Sequence, residues 1–174
     1  MGRTLRQVRG PVEAVDLVAD QAPDFETRYD ALRRVAYRPA YRLLGDRAAA
    51  EDVAAEALAR AFARWSSVAS HAEAWVVTVA TNLALDVGRR RTQAASSRHQ
   101  LVESAEPDHQ IEVRMDLQRA LLRLPRRQRE VVALRFLGDF SERDTASALG
   151  LDVGTVKSHS ARGLARLRTI VERV

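Results

Sequence analysis

The stretch SERDTASALGLDVGTVKSHSARGLARLR, residues 141–168, decides the fold of the C-terminal part of the chain. Ser141 and Asp144 have the spacing of a helix N-terminal capping pair, and Gly150 permits the tight turn that ends a short first helix. Asp152 then caps a second helix. The positions predicted to face inward are Leu151, Val156, Leu164 and Leu167. This order of signals predicts a helix-turn-helix, whose second helix lies in the major groove of DNA.

The polar and basic side chains of that second helix are the candidate DNA contacts. Its early positions reach base edges, and arginines one and two turns later meet phosphates or bases. The candidates are Thr155, Lys157, Ser158, His159, Arg162 and Arg166. The alternative is an amphipathic hairpin with a solvated basic face. Pattern, turn chemistry and charge together favour the DNA-binding interpretation.

Composition agrees with a helical, nucleic-acid-binding protein. Of 174 residues, 46% are hydrophobic and only 5% aromatic, and abundant Ala, Leu, Val and Arg favour helices over strands. The net charge is +5 and the isoelectric point about 10.5. Residues 113–174 hold 13 basic and 7 acidic side chains, a net charge of +6 that suits a polyanionic partner.

Catalysis, cofactor chemistry and export find no support in the sequence. The chain has no cysteine, and its four histidines stand at no catalytic spacing. The acids Glu51, Asp52 and Glu56 share one predicted helix, which supplies too few converging ligands for a metal. We therefore expect no enzyme, metal or cofactor. No apolar run is long enough for a signal peptide or a membrane span, so we expect a cytoplasmic protein without a membrane partner.

Helical periodicity predicts an all-α fold: two small helical domains joined by a flexible acidic linker, with the helix-turn-helix in the C-terminal one. Pro39 is expected to kink or split the first helix, and residues 66–71 are expected to form a loop. The predicted segments are a mobile extension over 1–24, a domain over 25–91, a helix-poor linker of net charge −3 over 92–112, and a domain over 113–174.

Two parts of the chain resemble a known family. RRQREVVALRF (126–136) followed by GTVKSHSARGLARLR (154–168) resembles the −35-binding domain of sigma-70-family transcription initiation factors, and also the helix-turn-helix of LuxR-type regulators. The N-terminal half decides between these two families. GDRAAAEDVAAEALARAFARW (45–65) and AWVVTVATNLALDVGRRR (74–91) resemble the sigma domain that binds the polymerase clamp and the −10 element. Two sigma domains alone indicate the extracytoplasmic-function group, here similar to the sigma-E-like factors of actinobacteria.

The resemblance implies a sigma factor that binds core RNA polymerase and directs initiation at specific promoters. Residues 25–91 would be sigma region 2, and 113–174 region 4, which reads the −35 element with the candidates named above. Region 2 would melt and capture the −10 element through Ser66, Ser67, His71, Asn82, Asp86, Arg89, Arg90 and Arg91. It would bind the coiled-coil clamp of the β′ subunit through Asp46, Glu51, Asp52 and Glu56.

Other partners and one rival function also follow from the resemblance. The flap of the polymerase β subunit is a further implied contact, and family analogy adds an anti-sigma factor. The alternative function is a LuxR-type regulator that acts independently of core polymerase.

Overall fold

The computed structural model describes residues 22–98 and 109–171; the predicted extension before Ala22 and the centre of the predicted linker, 99–108, lie outside these ranges. Every regular element in the described ranges is helical, so the all-α prediction is confirmed. The N-terminal elements are α1 (Ala22–Leu44), α2 (Arg47–Phe62), α3 (Trp65–Val68), a 3₁₀ turn (Ala69–His71) and α4 (Ala72–Arg98). The C-terminal elements are α5 (His109–Leu122), α6 (Arg126–Val132), a π-helical turn (Ala133–Leu137), α7 (Glu142–Leu149) and α8 (Val153–Val171).

Helices α1, α2 and α4 pack on one another as the N-terminal unit. Helix α1 runs through Pro39 as one helix, so of the two expected effects of the proline, a kink or a split, the split does not occur. Proline inside a helix removes a backbone hydrogen bond, but the ring of Pro39 is fully buried in the core. Burial of the ring offsets part of that cost.

Two predicted boundaries differ from the structure. Helix α4 continues to Arg98, seven residues past the expected end at Arg91, and α5 begins at His109 rather than Val113. Both ends of the segment 92–112 are therefore helical, and the description of it as helix-poor is wrong there. The hydroxyl of Thr92 donates to the carbonyl of Gly88 (3.1 Å), which adapts this β-branched residue to the helix.

The helix-turn-helix forms as its turn chemistry predicts. Ser141 Oγ accepts a hydrogen bond from the backbone N–H of Asp144 (3.0 Å) and begins α7. Gly150 ends α7 in the left-handed conformation (φ 62°, ψ 39°), which only glycine adopts without strain. Asp152 accepts from the N–H of Thr155 (2.7 Å) at the start of α8.

The inward face of α8 differs at one position from the prediction. Val156 is fully buried and Leu167 packs against the main core, but Leu164 is 43% exposed. Gly163 is buried in its place. At 3.6 residues per turn Gly163 lies about 20° from Val156 around the helix axis, whereas Leu164 lies about 80° away.

The π-helical turn settles which of two apolar side chains enters the core. Leu137 is buried, and Phe136 is 42% exposed. A π turn holds one residue more than an α turn, so side chains after it are rotated relative to the preceding helix. The turn thus directs Leu134 and Leu137 inward together.

The N-terminal and C-terminal units pack directly against each other. Leu32, Leu43 and Leu85 share one buried cluster with Leu121 and Val132. The core therefore runs continuously from one unit into the other. In the described ranges, no helix combines the length and apolar character that a bilayer crossing requires.

Candidate nucleic-acid interface

The exposed face of α8 is the strongest candidate site. Lys157, Arg162 and Arg166 are exposed, with the Lys157 ammonium 3.8 Å from the carboxylate of Glu142. Arg162 and Arg166 are four residues apart, so they lie one above the other on the same face. A helix with basic side chains free on one face can approach a phosphate backbone and place its N-terminal turn in a groove.

The first turn of α8 is fixed by Asp152. Its carboxylate accepts from both the backbone N–H and the hydroxyl of Thr155. The hydroxyl bond and then the backbone bond hold the pKa of Asp152 below its usual value. Thr155 is half-buried and engaged in this cap, so in the free chain its hydroxyl is already bonded.

Ser158 and His159 were expected to face outward, and that expectation is wrong in part. Both are half-buried. The His159 Nδ1 atom is enclosed without a hydrogen-bond partner in the described structure, as is the neighbouring Ser160 Oγ. The exposed basic candidates are therefore Lys157 near the start of α8 and the pair Arg162 and Arg166, which share one face.

Three of the predicted −10 residues line one cleft. His71, Asn82 and Asp86 border a cleft of about 520 Å³ along α4, together with Trp75. Asp86 accepts a hydrogen bond from the Arg89 guanidinium (3.2 Å). The spacing of Asn82 and Asp86 places them on one face of the helix.

Arg91 and the two serines do not join that cleft. Arg91 lies nine residues after Asn82, about half a turn around the helix. Its guanidinium pairs with Asp46 (2.9 Å). Ser66 and Ser67 lie on the short helix α3, so the expected loop is wrong: the backbone N–H and hydroxyl of Ser67 both donate to the carbonyl of Arg64 (2.9 Å each). Arg90 is exposed beyond the cleft.

The acids of α2 lie on its surface, as a partner-binding face requires. Glu51 pairs with Arg47 (3.0 Å) and Glu56 with Arg60 (2.7 Å), both one turn apart along the helix. Asp52 borders a groove of about 290 Å³ between α2 and α4, where Leu83 and Val87 contribute apolar surface.

Asp46 already has a structural role in the free chain. It caps α2 by accepting from the N–H of Ala49 (3.2 Å). This bond first, and then Arg91, lower the pKa of its carboxyl group. A polymerase contact at Asp46 would compete with the cap and with the Arg91 pair.

The far wall of the α4 cleft was missed from the sequence. Arg126, Arg127 and Arg129 of α6 line it, and the nearly buried Glu130 accepts from Arg126 (2.8 Å) and Arg127 (3.0 Å). The signal was present in the run RRQRE after Pro125. From the sequence, that run indicated only the resemblance to the −35-binding domain.

Comparison with known proteins decides the family. The family model "Sigma-70 region 2" matches residues 28–94, and "Sigma-70, region 4" matches residues 114–167. The chain is 39% identical over 146 residues to an RNA polymerase sigma-E factor of Streptomyces coelicolor, covering 82% of this chain and 80% of the relative. The chain belongs to the sigma-70 family. This sigma factor resembles the extracytoplasmic-function members of the family.

Two further relatives carry that designation. The ECF RNA polymerase sigma factor SigL of Mycobacterium tuberculosis is 32% identical, over 88% of this chain and 92% of its own length. SigW of Bacillus subtilis is 29% identical, over 76% of this chain and 80% of its own length. The match of region 2 in the N-terminal half favours the sigma factor over the LuxR-type alternative. Sigma factors are non-catalytic initiation factors.

A solved structure is similar in outline. The sigma factor RpoE in complex with the anti-sigma factor NepR from Bartonella quintana is 26% identical. The alignment covers 86% of this chain and 97% of that one, at a TM-score of 0.48.

Proposed function

We propose that this sigma factor works in the cytoplasm as a specificity subunit of RNA polymerase, without catalytic activity of its own. Residues 113–174 bind the −35 element and residues 25–91 bind the −10 element and the β′ clamp, with 92–112 between them. The observation that carries the proposal is the capped helix-turn-helix, which leaves Arg162 and Arg166 exposed on one face of α8 and Lys157 exposed near the start of the helix.

The experiment that tests the whole proposal is transcription with purified core polymerase. Core RNA polymerase of Streptomyces coelicolor, the source of one relative, is mixed with the full chain and fragmented genomic DNA, and the RNA 5′ ends are sequenced. We expect start sites that share upstream −10 and −35 sequences and that vanish without the chain. Start sites unchanged by the chain would refute the proposal, and binding to duplex DNA unaffected by polymerase would favour an independent regulator.

The −35 contact is tested at Arg162. Replacing Arg162 with Ala should cost about 1–3 kcal/mol of binding to a −35 duplex found by that experiment, if the guanidinium contacts a base. Arg168→Ala is the matched control, because this exposed arginine lies six residues further along α8 and points about 120° away around the helix axis. Equal affinity of the two variants in fluorescence anisotropy would remove Arg162 from the DNA-binding face.

The −10 contact is tested at Asn82. Its amide offers both a donor and an acceptor to an unpaired base. Asn82→Ala should lower the permanganate reactivity of melted thymines at the −10 element while leaving binding to core polymerase unchanged. Wild-type reactivity would show that the α4 cleft does not hold the melted strand.

The clamp contact is tested by charge reversal. Changing Glu51 and Asp52 to Arg should weaken binding to core polymerase, since the acids face a basic partner in this proposal. Reversal of the exposed acids Glu26 and Asp30 on α1 is the control with the same change in net charge. Equal losses in both variants would show that net charge matters rather than this face. The β flap and an anti-sigma factor are further proposed partners.

A further inference from the structure

The second half of α1 presents a row of arginines and tyrosines outside both predicted promoter contacts. Tyr37, Arg38 and Tyr41 follow Arg34 by three, four and seven residues, the spacing that puts side chains on one face of an α-helix. Arg34, Arg38 and Tyr41 are exposed, and Tyr37 is half-buried against the core. We call these four residues the Arg–Tyr face. None of them lines the α4 cleft.

The two tyrosines form a flat aromatic surface. Their rings are nearly parallel, with an interplanar angle of 12° and centroids 5.6 Å apart, and Tyr41 is 43% exposed. Stacking of one ring on the other holds both in orientation, so the pair is preformed for contact with a further flat ring. Every nucleobase has such a ring face, and exposed aromatic side chains hold single strands in this way. In a duplex, neighbouring bases cover these faces.

The charge of this part of α1 is positive throughout. Residues 31–45 contain no acid and four arginines: Arg33, Arg34, Arg38 and Arg42. Asp139 of the C-terminal unit lies 3.7 Å from Arg38 and accepts from Arg42 with both carboxylate oxygens (3.2 and 3.1 Å). Arg33 and Arg34, in contrast, have no ion-pair partner in the described ranges. Two cations beside the tyrosine pair are therefore free for an anion.

The fold itself gives no reason for this row of arginines. The helix macrodipole favours cations only in the last turn, and Arg34 lies ten residues, nearly three turns, before the end of α1 at Leu44. Arg34 and Arg38, and then Arg38 and Arg42, are like charges four residues apart, which destabilise a helix. The arrangement therefore lowers the stability of the free chain, and an anionic partner would offset that cost.

The tyrosines decide which anionic partner fits. An acidic protein would need only the charges. Arginine donates in pairs to phosphate and also stacks on flat rings, so arginines interleaved with exposed tyrosines match a chain of phosphates and accessible bases.

We propose that the Arg–Tyr face of α1 binds single-stranded nucleic acid, with Arg34 and the neighbouring Arg33 on phosphates and Tyr41 against a base. We expect no strong sequence preference, because every base has a ring face. This site is additional to the −35 and −10 contacts of the proposed function and does not depend on them.

The first test measures binding of the full chain to strands without promoter sequence. The probes are labelled homopolymers of deoxythymidine and of uridine about twelve nucleotides long, within the usual site size of single-strand-binding surfaces. In fluorescence anisotropy, Arg33→Gln/Arg34→Gln should weaken binding at least about threefold. It should also make the plot of log affinity against log salt less steep by about 1.4, since each phosphate contact on a single strand contributes about 0.7.

The control for this variant is Arg123→Gln/Arg168→Gln, which removes the same charge at two other exposed arginines without an ion-pair partner in the part of the chain that the structure describes. Equal losses in the two double variants would overturn the proposal, because net charge alone would then explain the binding.

The tyrosine contact is tested separately from charge. Tyr41→Ala should weaken binding at least about fivefold with an unchanged salt slope, and Tyr41→Phe, which keeps the ring, should bind like the wild type. Tyr29→Ala is the matched control, because Tyr29 is 42% exposed on the same helix but lies outside the Arg–Tyr face. A Tyr41→Ala chain that binds no more weakly than Tyr29→Ala would overturn the single-strand assignment.

Cross-linking of the wild-type chain locates the strand without any substitution. Strands that carry 4-thiothymidine or 4-thiouridine are irradiated with the full chain, which is then digested with trypsin. Trypsin does not cut before proline, so residues 35–42, VAYRPAYR, with both tyrosines, form one peptide. We expect this peptide to carry the cross-link, and the stronger of the two strands to show whether DNA or RNA is the source.

Two results of the cross-linking experiment would overturn the proposal. One is a set of cross-links confined to other peptides. The other is displacement of the strand by polyglutamate at equal charge concentration, which would assign the face to an acidic protein. These assays contain neither polymerase nor promoter, so their outcome is independent of the transcription experiment.

Discussion

Gly163 sets how closely the DNA-binding helix approaches the helix that supports it. A Cβ atom at this position would lie 2.7 Å from Val132 Cγ2, closer than real carbon atoms approach. Val132 is 3% exposed and β-branched, so it has little freedom to move aside. Gly163→Ala therefore has two opposing effects on stability: a gain in helix propensity and a steric clash with Val132.

The two effects can be weighed against each other. Alanine in place of glycine in a helix interior gains about 1 kcal/mol. Overpacking a filled core costs about 1–3 kcal/mol. We expect the clash to win, with a net loss of about 1 kcal/mol and a melting temperature lower by roughly 2–4 °C. In a Val132→Ala background the clash is absent, so the same substitution should gain about 1 kcal/mol.

Urea unfolding followed by circular dichroism measures all four chains of this double-mutant cycle. Ala165→Gly, at an exposed position of the same helix, measures the propensity effect alone and should cost about 1 kcal/mol. The reasoning is refuted if Gly163→Ala stabilises the wild-type chain by the amount that Ala165→Gly costs. That result would mean that α8 moves away from α6 freely.

Three further predictions concern stability. Asp152→Asn keeps the cap but removes a carboxylate whose folded-state pKa is lowered; that carboxylate stabilises the fold above the unfolded pKa and loses its effect as the pH falls. Between about pH 5 and pH 2, the melting temperature should fall more for the wild type than for Asp152→Asn. Equal falls in the melting temperature of the two chains would contradict this. Gln118→Ala should cost about 1–3 kcal/mol in urea unfolding, because the buried carbonyl of Leu43 loses its donor, and a loss near zero would show that water replaces it. Val156→Ala should cost about 2–3 kcal/mol in the same assay, since the side chain is fully buried, and a smaller loss would indicate that the site collapses around the alanine.

Features governed by neighbouring residues could be predicted from the sequence. The caps at Ser141 and Asp152 and the left-handed Gly150 depend on hydrogen bonds that span three to five residues, and the structure shows each of them. Which residues of a helix face the core could be predicted less well from the sequence. Leu164 was assigned inward because it is apolar, although Gly163 lies nearer the direction of Val156.

Contacts between distant parts of the chain left no local signal. Arg42 and Asp139 are 97 residues apart, and both look like ordinary solvated charges in the sequence. The α4 cleft was predicted only on its near wall, because the helical spacing of Asn82 and Asp86 is a local property. Its far wall depends on how region 4 packs against region 2. Hydrophobic periodicity within one helix carries no information on that packing.

The extension of α4 to Arg98 bears on how the two units cooperate once they are apart. Ten residues, 99–108, then separate α4 from α5. Their contour length is at most about 36 Å. After one unit has bound DNA, a tether this short keeps the other at a high effective concentration, but only within its radius. Binding to both elements is therefore an avidity effect with a sharp distance limit: each base pair added to the spacer extends the span by about 3.4 Å, until the tether can no longer reach.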